Sequence, residues 1–397
     1  MTAACEAARR GLKVTVVERN GRPGRKLMIT GKGRCNLTND CDSDEFFSNV
    51  PQNAKFLMSA LSAFGPKDTM EYFEKLGVRL KVERGKRVFP ESDKAVDIVD
   101  ALASELRRSG CRITCGRVSG IKTEDGAVTG VRLEDGKTIP ARAAIICTGG
   151  MSYPQTGSTG DGYDMARALG HTVTPPTPSL VPLVSADGWP TELQGLTLKN
   201  VVLKAVDTRG GKIVFEELGE MLFTHFGVSG PLVLSASAHM RGLRPGRFKL
   251  SIDLKPGLTD EQLDLRLQRD FIKFSNHDFI NSLSSLLPAK LIPVFVRMTG
   301  IDPHEKTNQL TRDQRHDVEA LMKNLEINIS GTRPIEEAIV TSGGVSTREV
   351  NPKTMGSKLV RGLYFAGEVL DVDAYTGGFN LQIAFSTGIA AGRGVPR

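Results

Sequence analysis

The period of apolar positions changes several times along the chain, and each change predicts a different element. Residues 2–10 are alanine-rich and small, the pattern of a helix packed closely on a sheet, and Gly11 ends it as a helix C-cap would. The β-branched run Lys13-Val14-Thr15-Val16-Val17 predicts a strand closing on Glu18. A loop rich in Gly, Arg and Lys occupies residues 21–39, followed by mostly helical residues 51–77 and short strands at 78–82 and 87–89. Residues 97–109 read as an amphipathic helix. Residues 113–139 read as a strand meander that turns at Glu124-Asp125-Gly126 and Glu134-Asp135-Gly136, since Asp-Gly pairs favour tight hairpins. Ala143-Ala144-Ile145-Ile146-Cys147 predicts a buried strand opening into Thr148-Gly149-Gly150.

The run Pro175-Pro176-Thr177-Pro178 marks a boundary. Beyond it, residues 182–254 alternate in short strands and predict a small β-barrel, while residues 259–324 take a helical period. Thr311-Arg312-Asp313-Gln314 fits a capping box ahead of Val318, Leu321 and Met322. After Ile335 the pattern returns to strands and glycine turns, reaching Leu363-Tyr364-Phe365-Ala366-Gly367-Glu368 and then a small-residue helix over 381–391. There is no internal repeat and no low-complexity tract.

Composition narrows the class without fixing it. At 397 residues the chain predicts two or three domains, and 40% hydrophobic with 24% charged residues is ordinary for a soluble globular protein. No run of apolar residues is long enough for a transmembrane helix, and Cys5, Glu6, Arg9 and Arg10 break any signal-peptide pattern. Six cysteines do not make a disulfide framework in so long a chain, and Cys111 and Cys115 have no second ligand pair to complete a zinc site. The expectation is a reducing, cytoplasmic setting with no metal and no membrane. The net charge of +7 suits an anionic ligand, but the cations are scattered, and those between Arg22 and Arg34 alternate with glycines. A phosphate-facing loop is expected there, and nucleic acid is not an expected partner.

The candidate chemistry lies at the ends of strands. Helix, glycine, strand and terminal acid form the second half of a βαβ dinucleotide unit, in which a carboxylate such as Glu18 accepts hydrogen bonds from the adenosine ribose. Gly31-Lys32-Gly33-Arg34-Cys35-Asn36, after Pro23-Gly24-Arg25-Lys26, combines close backbone approach with cations for a pyrophosphate. The Ala-Gly-Glu-x-x-Asp strand end and Thr376-Gly377-Gly378-Phe379-Asn380 precede a helix whose first amides can face flavin or phosphate oxygens.

Four blocks in order carry a family resemblance: residues 21–39, Thr148-Gly-Gly-Met-Ser-Tyr-Pro-Gln-Thr-Gly-Ser-Thr-Gly-Asp-Gly162, Gly219-Glu-Met-Leu-Phe-Thr-His-Phe-Gly-Val-Ser-Gly-Pro231, and residues 364–388. Together they resemble the HI0933-like, also called BaiN-like, three-domain bacterial flavoproteins across nearly the whole chain. The resemblance implies an α/β fold: an FAD-binding, doubly wound, Rossmann-like domain of the two-dinucleotide-binding type, interrupted by a small β-barrel and a helical domain. The implied boundaries are 1–181 and 343–397 for the FAD domain, 182–257 and 326–342 for the barrel, and 258–325 for the helical domain. It further implies extended FAD, with Glu18 at the ribose and the backbone near Val118 at the adenine. Arg25, Lys26, Gly33, Arg34, Cys35, Asn36, Thr148, Gly149, Gly150, Gly367, Glu368, Asp371, Gly377, Gly378, Phe379 and Asn380 would line the rest. Family members place a strand and a G-G-G-x-x-G-type loop before a helix like residues 1–11. The expectation is therefore that the natural protein begins further upstream, and that a chain starting at Met1 holds FAD weakly.

No catalytic residue stands out. Cys35 reads either as a flavin neighbour or as a buried thiol, and Tyr153 and His225 either as proton donors or as structural side chains. Asp371 and Asp373 bind a ribityl hydroxyl or cap a turn, with Asp371 preferred for the cofactor. The functional expectation is an FAD-dependent oxidoreductase that moves a hydride between flavin N5 and a small organic substrate, in amine oxidation or double-bond reduction. The inserted domains are expected to choose that substrate. NADH or NADPH is compatible as donor, although no second dinucleotide fingerprint is present. The alternatives are a flavoprotein acting on RNA and a truncated, non-catalytic remnant with impaired FAD binding.

Overall fold

The alanine-rich opening segment forms a helix, Thr2–Arg9, in the computed structural model, which describes residues 1–397. Small side chains let it lie directly on the C-terminal helix Phe379–Gly394. A Cβ added at Gly388 would come within 2.6 Å of Thr2 Oγ1, and one at Gly392 within 2.5 Å of the Ala3 carbonyl oxygen. Gly11, at φ 88°, ends the first helix, and the Gly11 and Leu12 amides donate to Ala8 O and Ala7 O. The strand Thr15–Glu18 follows and pairs in parallel with Arg112–Cys115, Glu18 opposite Cys115.

A second parallel pair joins Ala144–Ile146 to Leu363–Phe365. The doubly wound sheet expected from the sequence is thus represented by two separate two-stranded pairs, and no strand of the structure bridges them. The meander is present as the three strands Val118–Glu124, Ala127–Leu133 and Thr138–Pro140, with Asp125 and Gly126 at positive φ in the first turn. Val173–Ser179 pairs antiparallel with Val340–Val345, so the proline run enters a bulged strand at the boundary.

The chain divides into two compact units, Met1–Ser179 with Pro334–Arg397 and the inserted Leu180–Arg333. The insert contains a closed six-stranded barrel. Leu183–Ser185, Gly227–Ser229, Lys212–Thr224, Thr197–Asp207, Phe248–Asp253 and Leu325–Thr332 follow one another around it, the last returning to the first. Closure leaves no free edge. Leu203, Phe223, Leu250, Ile252, Ile327 and Ile329 are fully buried inside. Two of the helices, Asp260–Lys273 and Arg312–Lys323, start in capping boxes; Thr311 Oγ1 accepts from the Gln314 amide, and Gln314 Oε1 from the Thr311 amide.

Two expected boundaries look different in space. Barrel and helices share one apolar cluster, running from Leu203 and Phe223 to Leu267, Phe295 and Met322, so they form a single unit. Residues 334–342, expected in the barrel, belong with the first unit because Val340–Val345 pairs there. No helix is long and apolar enough to cross a membrane.

Candidate functional site

The loops that follow the parallel strands of the first unit come together. Two residues beyond Glu18, Asn20 Nδ2 donates to Thr156 O at 3.0 Å, and Arg19 Nη1 donates to Thr159 Oγ1 at 2.6 Å. Lys26, in the short helix Arg25–Ile29, donates to Ser152 Oγ at 2.8 Å and meets Glu368 Oε2 at 2.5 Å. The loops beyond Thr15–Glu18, Ala144–Ile146 and Leu363–Phe365 are therefore tied together at the carboxyl ends of the strands, the region where doubly wound sheets offer a crevice to dinucleotides.

Glu368 is the hub of that crevice. Its Oε1 accepts from the Thr341 amide at 2.9 Å and from Ser152 Oγ at 3.2 Å, while Thr341 Oγ1 accepts from the Met151 amide at 2.8 Å. A Cβ at Gly150 would stand 2.9 Å from Glu368 Oε1 and 2.7 Å from Thr341 Cβ, so glycine alone fits. Lys26 and Glu368 are both mostly shielded, and such charge-assisted contacts hold geometry better than exposed pairs. Ser152 and Thr341 were not anticipated from the sequence, because neither carries a motif; the only hint was their nearness to glycine pairs.

A second junction holds the C-terminal helix start. Asn39 Nδ2 donates to Gly377 O at 3.1 Å and to Gly85 O at 3.0 Å, and Thr38 Oγ1 donates to Gln382 Oε1 at 2.6 Å. Gly378, at φ 104°, lies so close to the Thr38 carbonyl that any Cβ would collide with backbone. As N-cap it offers no side chain to the first amides of Phe379–Gly394, where a ligand oxygen can accept.

The buried polar atoms supply the test of fit. Asn36 Oδ1, Asn39 Oδ1, Thr148 Oγ1 and Asp371 Oδ1 are buried with no hydrogen-bond partner. An unmet buried polar group costs about 1–3 kcal/mol, and three of these four are acceptors, which call for a ligand that brings hydroxyl donors. The ribityl chain of FAD carries such donors. Arg25 is exposed and donates only to the neutral Asn20 Oδ1 at 3.2 Å, leaving its charge unmatched by any carboxylate.

Other anticipated residues are occupied within the protein. Arg34 is paired with Glu83 and Asp93 and lies over Phe89, its carbon Cζ 4.1 Å from the ring centre. Cys35 is fully buried, and desolvation pushes its thiol up to about 12. Such a group stays protonated at neutral pH, which suits a structural thiol. Phe379 packs edge-on against Phe46 at 5.3 Å, and Asn380 spends its amide on the backbone of Ala374 and Tyr375. Glu18 Oε1 accepts from the Asn20 backbone and side chain at 2.8 Å each, with Oε2 free of such bonds. Val118 stands opposite Leu133 at the start of the meander, and Gly33, at φ 84°, has open space around it. Gly149 and Gly367 take positive φ in their loops.

Asp373 is buried between Ser179 Oγ at 2.7 Å and Ser342 Oγ at 3.0 Å, whereas Asp371 Oδ2 accepts from Thr174 Oγ1 at 2.8 Å and keeps Oδ1 unmet. Tyr153 is held at φ 52° with its amide donating to Glu336 O at 3.1 Å. His225 lies in the insert, exposed and edge-on to Phe226. Cys35 and Tyr153 share no hydrogen bond or ring contact, and His225 belongs to the other unit.

Comparison with known proteins adds identity to this geometry. A family profile described as the HI0933-like protein Rossmann domain matches residues 1–394. The chain is 34% identical over 392 residues to a "3-dehydro-bile acid delta(4,6)-reductase" of Clostridium scindens, covering 96% of this chain and 92% of that protein. It is 33% identical over 382 residues to a "Ribosomal RNA dihydrouridine synthase" of Escherichia coli, covering 96% and 91% respectively. Among solved structures, a 3-ketosteroid-delta4-(5alpha)-dehydrogenase of Rhodococcus jostii is similar at 15% identity and a TM-score of 0.45, over 99% of this chain and 92% of that one.

Proposed function

The chain belongs to the HI0933-like family of FAD-dependent oxidoreductases, and from that premise we propose that it reduces a carbon–carbon double bond conjugated to a carbonyl. The support is chemical. A 3-dehydro bile acid with 4,6 unsaturation is a ketone conjugated to its double bonds, and dihydrouridine is uridine with the C5–C6 bond, conjugated to the C4 carbonyl, reduced. In uridine a hydride adds to the carbon β to the carbonyl and a proton to the α-carbon; in a 4,6-dienone conjugation lets the hydride add at the β- or the δ-carbon, so both reactions have the same conjugate-addition character. Amine oxidation runs the other way and finds no counterpart in these relatives' names.

FAD, when bound, supplies the hydride chemistry from its reduced ring. This chain's residues do the holding. Glu18 Oε2 takes a ribose hydroxyl, Arg25 faces a phosphate, and the unmet acceptors of Asn36 and Asp371 take ribityl hydroxyls. Lys26 is a positioning residue: it ties the arginine-bearing helix to the Ala-Gly-Glu loop through Glu368, so both sides of the crevice keep one geometry. The FAD part of the reading is supported by the unpartnered buried oxygens of Asn36, Asn39 and Asp371, and the double-bond part by the reactions the two relatives are named for.

The preferred substrate is a small organic enone. Uridine in RNA is the second reading, favoured by the names of the relatives from Escherichia coli and from Haemophilus influenzae. The test is anaerobic: purified protein with FAD is reduced by dithionite and mixed with a 3-oxo-Δ4 steroid, a bile-acid enone, a uridine-containing RNA or a simple amine. Return of the oxidised flavin bands with an enone or with uridine, and formation of the saturated product, is the expected result. Oxidised FAD bleached by the amine, with no reaction of the reduced form, would overturn it. NADH and NADPH are tested as donors in the same cell.

A further inference from the structure

Cations that the sequence scatters are gathered at one end of the barrel in the insert. The hairpin between Thr197–Asp207 and Lys212–Thr224 turns through Thr208, Arg209, Gly210 and Gly211. Residues 241–247, which lead into the Phe248–Asp253 strand, lie against that turn. The Thr208 amide donates to Arg247 O at 2.9 Å, and Thr208 Oγ1 donates to Gly246 O at 2.8 Å. Two loops some thirty residues apart in sequence are thus sewn together by backbone.

Their charges do not balance. Asp207 is the single acid in either loop, and Arg247 neutralises it, Nη2 to Oδ2 at 3.2 Å. Arg209, Lys212, Arg241 and Arg244 are all exposed, and none pairs with a carboxylate. Further along the barrel Lys204 pairs with Glu216 at 3.3 Å and Lys249 with Glu326 at 2.6 Å, while Lys199 has no carboxylate partner. The double loop concentrates four unpaired cations on two short segments. The nearby imidazole of His239 feels it: burial, and then the Arg241 charge, hold that ring below the usual histidine range.

We propose that this double loop binds the phosphodiester backbone of a nucleic acid. Four unmatched cationic side chains on two abutting loops match a run of phosphates, and glycines at 210, 211, 242 and 246 let a bulky backbone approach. A membrane surface fits less well. The turn from Thr208 to Gly211 offers no apolar side chain to enter a bilayer, and Leu243 packs on the barrel core. The inference stands on the insert alone and does not depend on the flavin chemistry, so each can fail without the other.

The experiment measures binding of a fluorescent RNA hairpin and of the DNA hairpin of the same sequence to the full-length protein, across a salt series and without turnover. Each neutralised phosphate contributes about −0.7 to −0.9 to the slope of log K against log salt. The variant R209A/K212A/R241A/R244A is expected to lose about three units of slope and at least tenfold in affinity at moderate salt. The double variant R209A/K212A is expected to lose about half that slope. The variant K204A/K249A, which removes matched cations of the same barrel, is expected to behave as wild type. Comparison of the RNA and DNA arms tells which nucleic acid is preferred. Unchanged slope and affinity in the fourfold variant, with an unchanged melting midpoint, would overturn the proposal. So would loss of binding to phosphatidylserine vesicles in that variant while nucleic-acid binding persists.

Discussion

The barrel of the insert and the parallel strands of the first unit solve different problems with similar apolar residues. In the insert every barrel strand is paired on both sides, and Leu203, Phe223, Leu250 and Ile327 fill the interior completely. Only Thr224 Oγ1 is a buried unpartnered side-chain atom there. In the first unit the parallel strands lie in two pairs, and unmet polar atoms include Thr148 and Asp371 in the loops beyond them. One region is finished by its own side chains. The other is the proposed FAD site, and its stability is expected to depend on that ligand's concentration.

The sharpest way to break this contrast is Phe223→Ala, which should destabilise the insert by about 3–5 kcal/mol. Trp189 is the only tryptophan and sits 5.8 Å from the Phe223 ring, so its fluorescence in a urea titration reports the insert alone. Loss of the tryptophan transition together with flavin retention would mean that the two units unfold independently. Next in size, FAD at a hundredfold excess over its dissociation constant should stabilise the first unit by about 2.7 kcal/mol and leave the tryptophan transition where it was. Gly378→Ala should abolish that gain, since its Cβ meets the Thr38 backbone at a positive φ; unchanged flavin binding in this variant would count against the site. Lys26→Ala should weaken flavin binding by about tenfold, the worth of one charge-assisted hydrogen bond. Equilibrium dialysis measures it, and an unchanged constant would remove Lys26 from the positioning role.

The smallest effect is a pH dependence of the first unit. His171 is buried beside Phe365, with Nε2 2.8 Å from Ser357 Oγ, and burial lowers its pKa despite the nearby Glu349. The unfolded chain then binds a proton that the folded one refuses. The first unit should accordingly lose stability as pH falls through the ordinary histidine range, about 6.5, and regain it above. His171→Gln should flatten this slope in thermal melts, and an equally steep slope in the variant would assign it elsewhere.

Local patterns were legible in the sequence, and long-range partners were not. The Thr2–Arg9 helix with Gly11, the Thr15–Glu18 strand, the Asp125-Gly126 turn and the Thr311 capping box are each fixed by residues a few positions apart. The meeting of Lys26 with Glu368, 342 positions later, has no local signature. Arg34 is different: its glycine-rich neighbourhood points to phosphate, and in the structure Glu83, on the strand Leu80–Glu83, and Asp93, beyond the strand Arg87–Pro90, pair with its guanidinium. Asn380 likewise has the look of a ligand contact and serves as a brace for Ala374 and Tyr375. Side-chain destinations of this kind are decided by packing, after the elements are in place. The same is true of the loops that carry Arg209 and Arg244, which are joined by the hydrogen bond from the Thr208 amide to Arg247 O.

The insert begins at Leu180 and ends at Arg333, and the Arg333 amide donates to Pro182 O at 2.9 Å. Entry and exit therefore share a single doorway. A gene fragment for residues 180–333 should yield a self-contained module whose ends can be fused by a very short linker, and another protein could be grafted into the vacated position without stretching the host.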